Sequence, residues 1–195
     1  MRQEAGRNSE SQLQDEPVSI AGAGPAGLAC AIVLARAGRR VILHEWHETV
    51  GSRFHGDFQG LENWSDDQDV LDELQAAGIE SSFDCHPVYD GIAFDAWGVA
   101  YPIHGDRPLY YLTRRGSQYG CLEADLLKQA VAAGAEVRFG DRVTNSQQST
   151  VLAIGPRTAD AIAVGYVFET DRPDGNWMAF DDRLAPLGYA YLLIR

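Results

Sequence analysis

The start of the chain alternates short apolar runs with a longer stretch of helix-forming residues. Residues 17–21 and 40–45 are short runs that contain valine and isoleucine, which is typical of buried parallel strands. Residues 26–37 between them are rich in alanine and leucine, and Gly38 follows as a helix-ending residue. The order strand, helix, strand within thirty residues predicts a right-handed crossover and an α/β fold built on a parallel sheet.

Two further helices are predicted downstream. Residues 65–68 have the sequence of a capping box, which predicts a helix that starts there and ends before Gly78. Leucines and alanines at helical spacing over residues 122–131 predict another helix, which ends before Gly134.

Several short β-prone segments predict further strands. A hairpin that turns at Trp97-Gly98 is predicted over residues 91–104, and one strand over residues 109–113. Residues 136–139 and 150–154 are apolar runs of the kind that extend a parallel sheet.

The pattern divides the chain into three parts. Residues 1–16 are polar and aperiodic, so we expect a mobile N-terminal tail. Residues 17–165 form one predicted α/β domain, with an inserted segment at about 80–108. Residues 166–195 begin a second, β-rich part of the chain.

Composition and charge narrow the function classes. With 16 basic and 28 acidic side chains the net charge is −12, which argues against a nucleic-acid partner. Three cysteines and five histidines lack the spacing of a disulfide framework or a metal site. No apolar run reaches the roughly 20 residues of a membrane span, and the first sixteen residues lack a signal-peptide core. We therefore expect a reduced, soluble cytoplasmic protein.

A glycine-rich turn lies between the first predicted strand and helix. Gly22 permits the tight turn, Gly24 lets the backbone approach a pyrophosphate, and Gly27 lets the helix pack closely on the strand. Pro25 and Ala26 begin the helix, whose free N–H groups and positive dipole end favour phosphates. This GxGxxG pattern between a strand and a helix predicts a dinucleotide site.

Glu45 ends the second predicted strand, eighteen positions after Gly27. An acid at this position accepts hydrogen bonds from ribose hydroxyls and disfavours a 2′-phosphate. We therefore assign Glu45 to the adenosine ribose of the dinucleotide.

Three later segments identify FAD as the cofactor by resemblance. Gly51-Ser52-Arg53 after Glu45 is similar to the second fingerprint of FAD proteins, in which an arginine lies near the pyrophosphate. Residues 111–134 resemble their arginine-then-helix segment, and residues 151–157 their strand that ends in Ala-Thr-Gly. The chain thus resembles the flavoprotein group of geranylgeranyl reductases and aromatic-ring hydroxylases.

This resemblance implies an FAD-dependent oxidoreductase. It implies that residues 17–165 are the FAD-binding, dinucleotide-binding domain and that residues 166–195 are the beginning of a truncated substrate domain. Residues 185–192 are similar to the strand that lines the isoprenoid cavity of geranylgeranyl reductases, which implies an apolar substrate. Arg53 would contact the pyrophosphate, and either Arg114 or Arg115, of which we assign Arg114, would reach the flavin or its ribityl chain. The alternatives are a monooxygenase on the same scaffold and a non-catalytic FAD- or NAD-binding fragment.

Other chemistry is only weakly indicated. A single GxGxxG predicts that the electron donor, either NAD(P)H or another carrier, binds from outside. Peripheral contact with a membrane is compatible with an apolar substrate. Cys121 lies at the start of a predicted helix, a position that favours a lowered thiol pKa. No side chain is assigned as catalytic.

The end of the chain differs from the resembling proteins. A Gly-Asp-Ala segment, which in such proteins contacts the ribityl and pyrophosphate part of FAD, is absent from the sequence. The chain stops inside the apolar run of residues 189–194, which we expect to be a strand without a partner. The sequence therefore predicts a truncated frame.

Overall fold

The computed structural model describes residues 16–145, 147–155, 158 and 162–195. The predicted tail, apart from Glu16, lies outside the described residues, as do Pro156 and Arg157 at the end of the third FAD-like segment. Within the described part the helices are α1 (Pro25–Arg36), α2 (Val70–Ala76) and α3 (Leu122–Ala132). The strands are β1 (Val18–Ala21), β2 (Val41–His44), β3 (Phe58–Glu62), β4 (Cys85–Val88), β5 (Asp90–Phe94), β6 (Ala100–His104), β7 (Tyr110–Arg114), β8 (Glu136–Arg138), β9 (Val151–Leu152), β10 (Gly175–Ala179) and β11 (Ala190–Ile194).

The first sheet is parallel and has the strand order β8-β2-β1-β9. α1 packs on β1 and β2, and α3 packs on α1. Ile20, Leu28, Ile32 and Leu43 are fully buried where strands and α1 meet, and Leu126 joins them from α3. The predicted α/β fold with a parallel sheet and flanking helices is confirmed.

The second sheet is antiparallel and has β7 at its centre, between β3 and β4. Tyr111, Leu112 and Thr113 of β7 are buried. The strand predicted over residues 109–113 therefore exists, and it belongs to this separate sheet because both of its neighbours run antiparallel to it.

The third sheet combines two distant parts of the chain, in the order β11-β10-β5-β6. β5 and β6 form the predicted hairpin, and the Asp95 carboxylate fixes its turn by accepting the Trp97 N–H at 3.0 Å. β10 lies parallel to β5, and β11 pairs antiparallel with β10. The expectation that the final strand has no partner is therefore wrong, since β10 supplies one.

The capping box predicted at residues 65–68 is also wrong. Ser65 donates its hydroxyl to Glu62, and α2 begins five residues later with Asp69 as its N-cap. The Asp69 carboxylate accepts the Leu71 N–H at 2.9 Å and the Tyr111 hydroxyl at 2.8 Å. The hydrogen bond from Tyr111 on β7 holds Asp69 at the N-cap position, and the local sequence spacing does not predict this contact.

The helices of the described residues include none that is both long and apolar enough to cross a membrane.

Candidate functional site

Two glycines of the turn are required by their protein surroundings. Gly22 has φ +98°, and a Cβ there would lie 2.4 Å from the Ala153 carbonyl oxygen. A Cβ on Gly27 would lie 1.9 Å from the Gly22 carbonyl oxygen. These contacts are shorter than any real Cβ makes, so the turn closes tightly between β1, α1 and the end of β9 only with glycine at both positions.

Gly24 has neither of these reasons to be glycine. Its φ of −75° and ψ of 177° are open to every residue type, and a Cβ there would meet no atom of the described residues within 4 Å. Gly24 is also the N-cap of α1, which has no side-chain cap, and Pro25 begins the helix. The first N–H groups of α1 therefore lie beside an open space without a side-chain acceptor, which fits a diphosphate.

Glu45 joins this turn, although 22 positions separate it from Ala23. Its Oε2 accepts the Ala23 N–H at 2.9 Å, and its Oε1 accepts the His47 N–H at 2.9 Å. Parallel pairing of β1 with β2 brings the carboxyl ends of both strands together, so the acid reaches the turn. Each carboxylate oxygen retains a lone pair for a ribose hydroxyl.

The three candidate arginines have different surroundings. Arg53 is exposed and makes no hydrogen bond or ion pair with any other described residue. Arg114 is partly exposed and pairs with Asp84 at 3.3 Å. Arg115 is largely buried and pairs with Glu123 at 2.5 Å. Within the described residues, Arg53 thus has an unpaired guanidinium, whereas Arg115 is engaged with Glu123.

A family comparison identifies the cofactor of this chain. A profile described as FAD binding domain matches residues 15–155, which is more than half of the chain. The chain belongs to the FAD binding domain family. FAD, the cofactor predicted from the glycine turn and the later segments, is thereby confirmed.

This FAD binding domain is similar to several solved structures. The tetrameric form of 2-methyl-3-hydroxypyridine-5-carboxylic acid oxygenase has 20% identity and a TM-score of 0.50, over 65% of this chain and 32% of its own. A geranylgeranyl bacteriochlorophyll reductase-like protein from Thermoplasma acidophilum has 19% identity and a TM-score of 0.48, over 64% and 30%. p-Nitrophenol 4-monooxygenase from Pseudomonas putida has 17% identity and a TM-score of 0.48, over 64% and 32%.

This FAD binding domain therefore spans about a third of the length of these relatives. No match was found among the curated proteins.

Thiol and metal chemistry have no support in this FAD binding domain. Burial raises the pKa of Cys30 and of Cys121, and burial together with Asp69 raises the pKa of Cys85 to about 11. The lowered pKa expected at Cys121 is wrong, because the thiol is fully buried and loses more by desolvation than the start of α3 supplies. Across the described ranges, no group of His, Cys, Asp and Glu side chains is arranged to hold a metal ion.

Two features of the site were not found from the sequence. The Ala153 carbonyl, which makes Gly22 obligatory, directly follows β9 and lies more than a hundred residues away in the chain. Glu123 lies in the first turn of α3, where an acid is ordinary because it favours the helix dipole. Its burial and its pairing with Arg115 depend on tertiary structure, and no local pattern signals them.

Proposed function

We propose that this chain is the cofactor-binding part of an FAD-dependent oxidoreductase that acts on a small apolar molecule. The observation that carries the proposal is the open space at Gly24, between an uncapped helix start and the Glu45 carboxylate. Bound FAD supplies hydride or electron transfer, with NAD(P)H as an external reductant. A cytoplasmic location stays a prediction.

In this proposal each residue of the turn has a distinct role. Gly24, Pro25 and Ala26 present the start of α1 to the diphosphate, while Gly22 and Gly27 keep α1 close to β1. Glu45 accepts hydrogen bonds from the ribose hydroxyls. Arg53, with its free guanidinium, contacts the diphosphate, and Arg114 contacts the flavin side of the cofactor.

Ligand binding by the purified chain tests the cofactor site. Calorimetric titration with FAD and ADP should show binding of both, because both carry the adenosine ribose and diphosphate. FMN, which lacks the adenosine half, should bind far more weakly. The proposal would be contradicted if the chain retained no yellow FAD after excess FAD had been added and the unbound FAD removed, and if titration with ADP released no heat of binding.

The apolar substrate has support at the third sheet. Phe180, Tyr189 and Tyr191 form an aromatic row, with ring centroids 5.8 and 6.1 Å apart. All three rings are about half exposed, so an apolar molecule can contact them. Together with the likeness of residues 185–192 to an isoprenoid-lining strand, this row supports a reductase of the geranylgeranyl-reductase type.

A monooxygenase is the second candidate, and the similarity to a pyridine carboxylic acid oxygenase favours it. The two reactions differ in their need for oxygen. We expect a reductase to saturate an isoprenoid double bond with NAD(P)H under argon. Incorporation of ¹⁸O from ¹⁸O₂ into an aromatic product, with no anaerobic turnover, would favour the monooxygenase instead.

Replacement of Glu45 with alanine should weaken ADP and FAD binding by about 1.5–3 kcal/mol, the range for hydrogen bonds to a charged group. Titration calorimetry measures the loss. Exposed Glu48, three positions along the chain, provides the matched control, and Glu48→Ala should bind ADP as the parent does. Equal ADP affinity in Glu45→Ala and the parent would remove Glu45 from the site.

A further inference from the structure

Glu123 is a buried acid that the proposed cofactor site does not use. Its side chain is 1% exposed, and both carboxylate oxygens are bonded. Oε1 accepts from the Arg115 Nε at 2.7 Å, and Oε2 accepts from the Gly116 backbone N–H at 2.9 Å. A carboxylate this deeply buried is tolerated only when its charge is paired and its hydrogen bonds are complete. Arg115, Gly116 and Glu123 therefore form one fixed unit, here named the clamp.

The clamp holds the loop between β2 and β3 at its far end. The Arg115 guanidinium lies over the Phe54 ring, 4.3 Å from its centroid, and donates to the Gln59 side chain. The Arg115 N–H donates to the Asp57 carbonyl at 2.9 Å, and the Gly56 N–H donates to the Arg115 carbonyl at 3.0 Å. Arg115 therefore contacts residues 54–59 through both its side chain and its backbone.

The clamp also packs against the near end of this loop. Gly51 has φ +62°, and a Cβ there would lie 2.6 Å from the carbonyl carbon and oxygen of Gly116, so the two backbones approach closely. Glu123 binds the N–H of that same Gly116. The segment of residues 51–57 is therefore hydrogen-bonded to Arg115 at its far end and packed against Gly116 at its near end, and Glu123 binds both of these clamp residues.

Arg53 lies inside this segment of residues 51–57. The Phe54 N–H donates to the Gly51 carbonyl at 3.0 Å, which closes a tight turn around Arg53. The Arg53 side chain is exposed and makes no ion pair within the described part of the chain. The clamp thus fixes the backbone of Arg53 and leaves its guanidinium available.

We infer that Glu123 is a positioning residue for the cofactor diphosphate and acts through the clamp by holding Arg53 in place. This inference rests on the proposed function, since it takes the ligand of Arg53 to be the diphosphate of a bound dinucleotide. Glu123 itself contacts no ligand. Glu123 restrains the loop before the ligand binds. Binding therefore costs less conformational entropy than it would with Arg53 in a mobile loop.

A double-mutant cycle between Glu123 and Arg53 tests the inference, with calorimetric titration of ADP and AMP. Glu123→Gln keeps the size of the side chain and an acceptor for Gly116, and it should weaken ADP binding about tenfold with a smaller effect on AMP. Arg53→Ala should give a similar selective loss. Glu123→Gln in the Arg53→Ala background should then cost no further ADP affinity, because the two residues act in series. Additive losses, or equal losses for ADP and AMP, would overturn the inference.

Proteolysis without ligand provides an independent readout. Trypsin cleaves after Arg53, and Glu123→Gln should accelerate this cleavage about tenfold because the loop opens more often. Glu136→Gln, which breaks the exposed Glu136–Arg138 pair, is the matched control and should leave the rate unchanged. An unchanged rate of cleavage at Arg53 in Glu123→Gln would overturn the inference, as would a Glu123→Gln chain without native circular dichroism.

The two readouts separate the inference from the proposed function. A parent chain that binds neither ADP nor FAD contradicts the proposed function, whatever trypsin shows. A parent chain that binds ADP, with an additive cycle, leaves the proposed function standing and overturns the role of Glu123.

Discussion

Gly24→Val is expected to lower the affinity of the chain for FAD and ADP at least a hundredfold, about 2.7 kcal/mol. The valine side chain would fill the space at the start of α1 that the structure leaves open, so the diphosphate could not approach the backbone. The backbone at Gly24 is extended, and a Cβ there meets no protein atom within 4 Å, so the fold accepts the substitution. Calorimetric titration of both ligands measures the loss, and circular dichroism checks the fold.

Gly24→Ser provides a control in which binding and stability move in opposite directions. Serine is a preferred N-cap residue and α1 lacks a side-chain cap, so this variant should be more stable than the parent by a few tenths of a kcal/mol. It should nevertheless bind ADP more weakly, because its side chain enters the same space. If Gly24→Ser and Gly24→Val both bind FAD as the parent does, the diphosphate lies elsewhere.

Gly27→Ala is expected to destabilise the chain by about 3 kcal/mol, near the upper end of the usual cost of overpacking. In an exposed helix the same change would stabilise by about 1 kcal/mol, since alanine is the better helix former. Here the added Cβ would lie 1.9 Å from the Gly22 carbonyl oxygen, and that oxygen belongs to a backbone already fixed by β1 and β9. The destabilisation by overpacking is therefore larger than the stabilisation that alanine gives through its helix propensity.

Thermal unfolding should show this loss as a fall in Tm of about 6–12 °C, at 2–4 °C per kcal/mol for a chain of this size. Gly24→Ala is the matched control, because it adds the same methyl group three residues away in open space. It should shift Tm far less than Gly27→Ala does. If the Gly27→Ala and Gly24→Ala chains have the same Tm, α1 and β1 are not closely packed at this turn.

The residues of the glycine turn can be predicted from the sequence, whereas those of the clamp cannot. Gly22, Gly24, Gly27 and Glu45 follow a spacing imposed by local geometry, since one strand, one turn and one helix place them. Arg115 directly follows β7, and it neutralises the buried charge of Glu123 on α3 only because the folded chain brings the two side chains together. An arginine and an acid eight positions apart carry no pattern that distinguishes this pair from two solvated side chains.

The sequence by itself determined the parallel β-α-β unit, its glycine turn, the acid at the end of β2 and the hairpin formed by β5 and β6. These features can be predicted because apolar periodicity and glycine positions depend directly on the local backbone geometry of strands, helices and turns. Only the tertiary structure decided that Asp69 caps α2, that β10 joins β5 and pairs with β11, and that Arg115 is engaged while Arg53 is free. These features depend on contacts that local backbone geometry does not determine, because burial and strand pairing stabilise them only when the chain has folded.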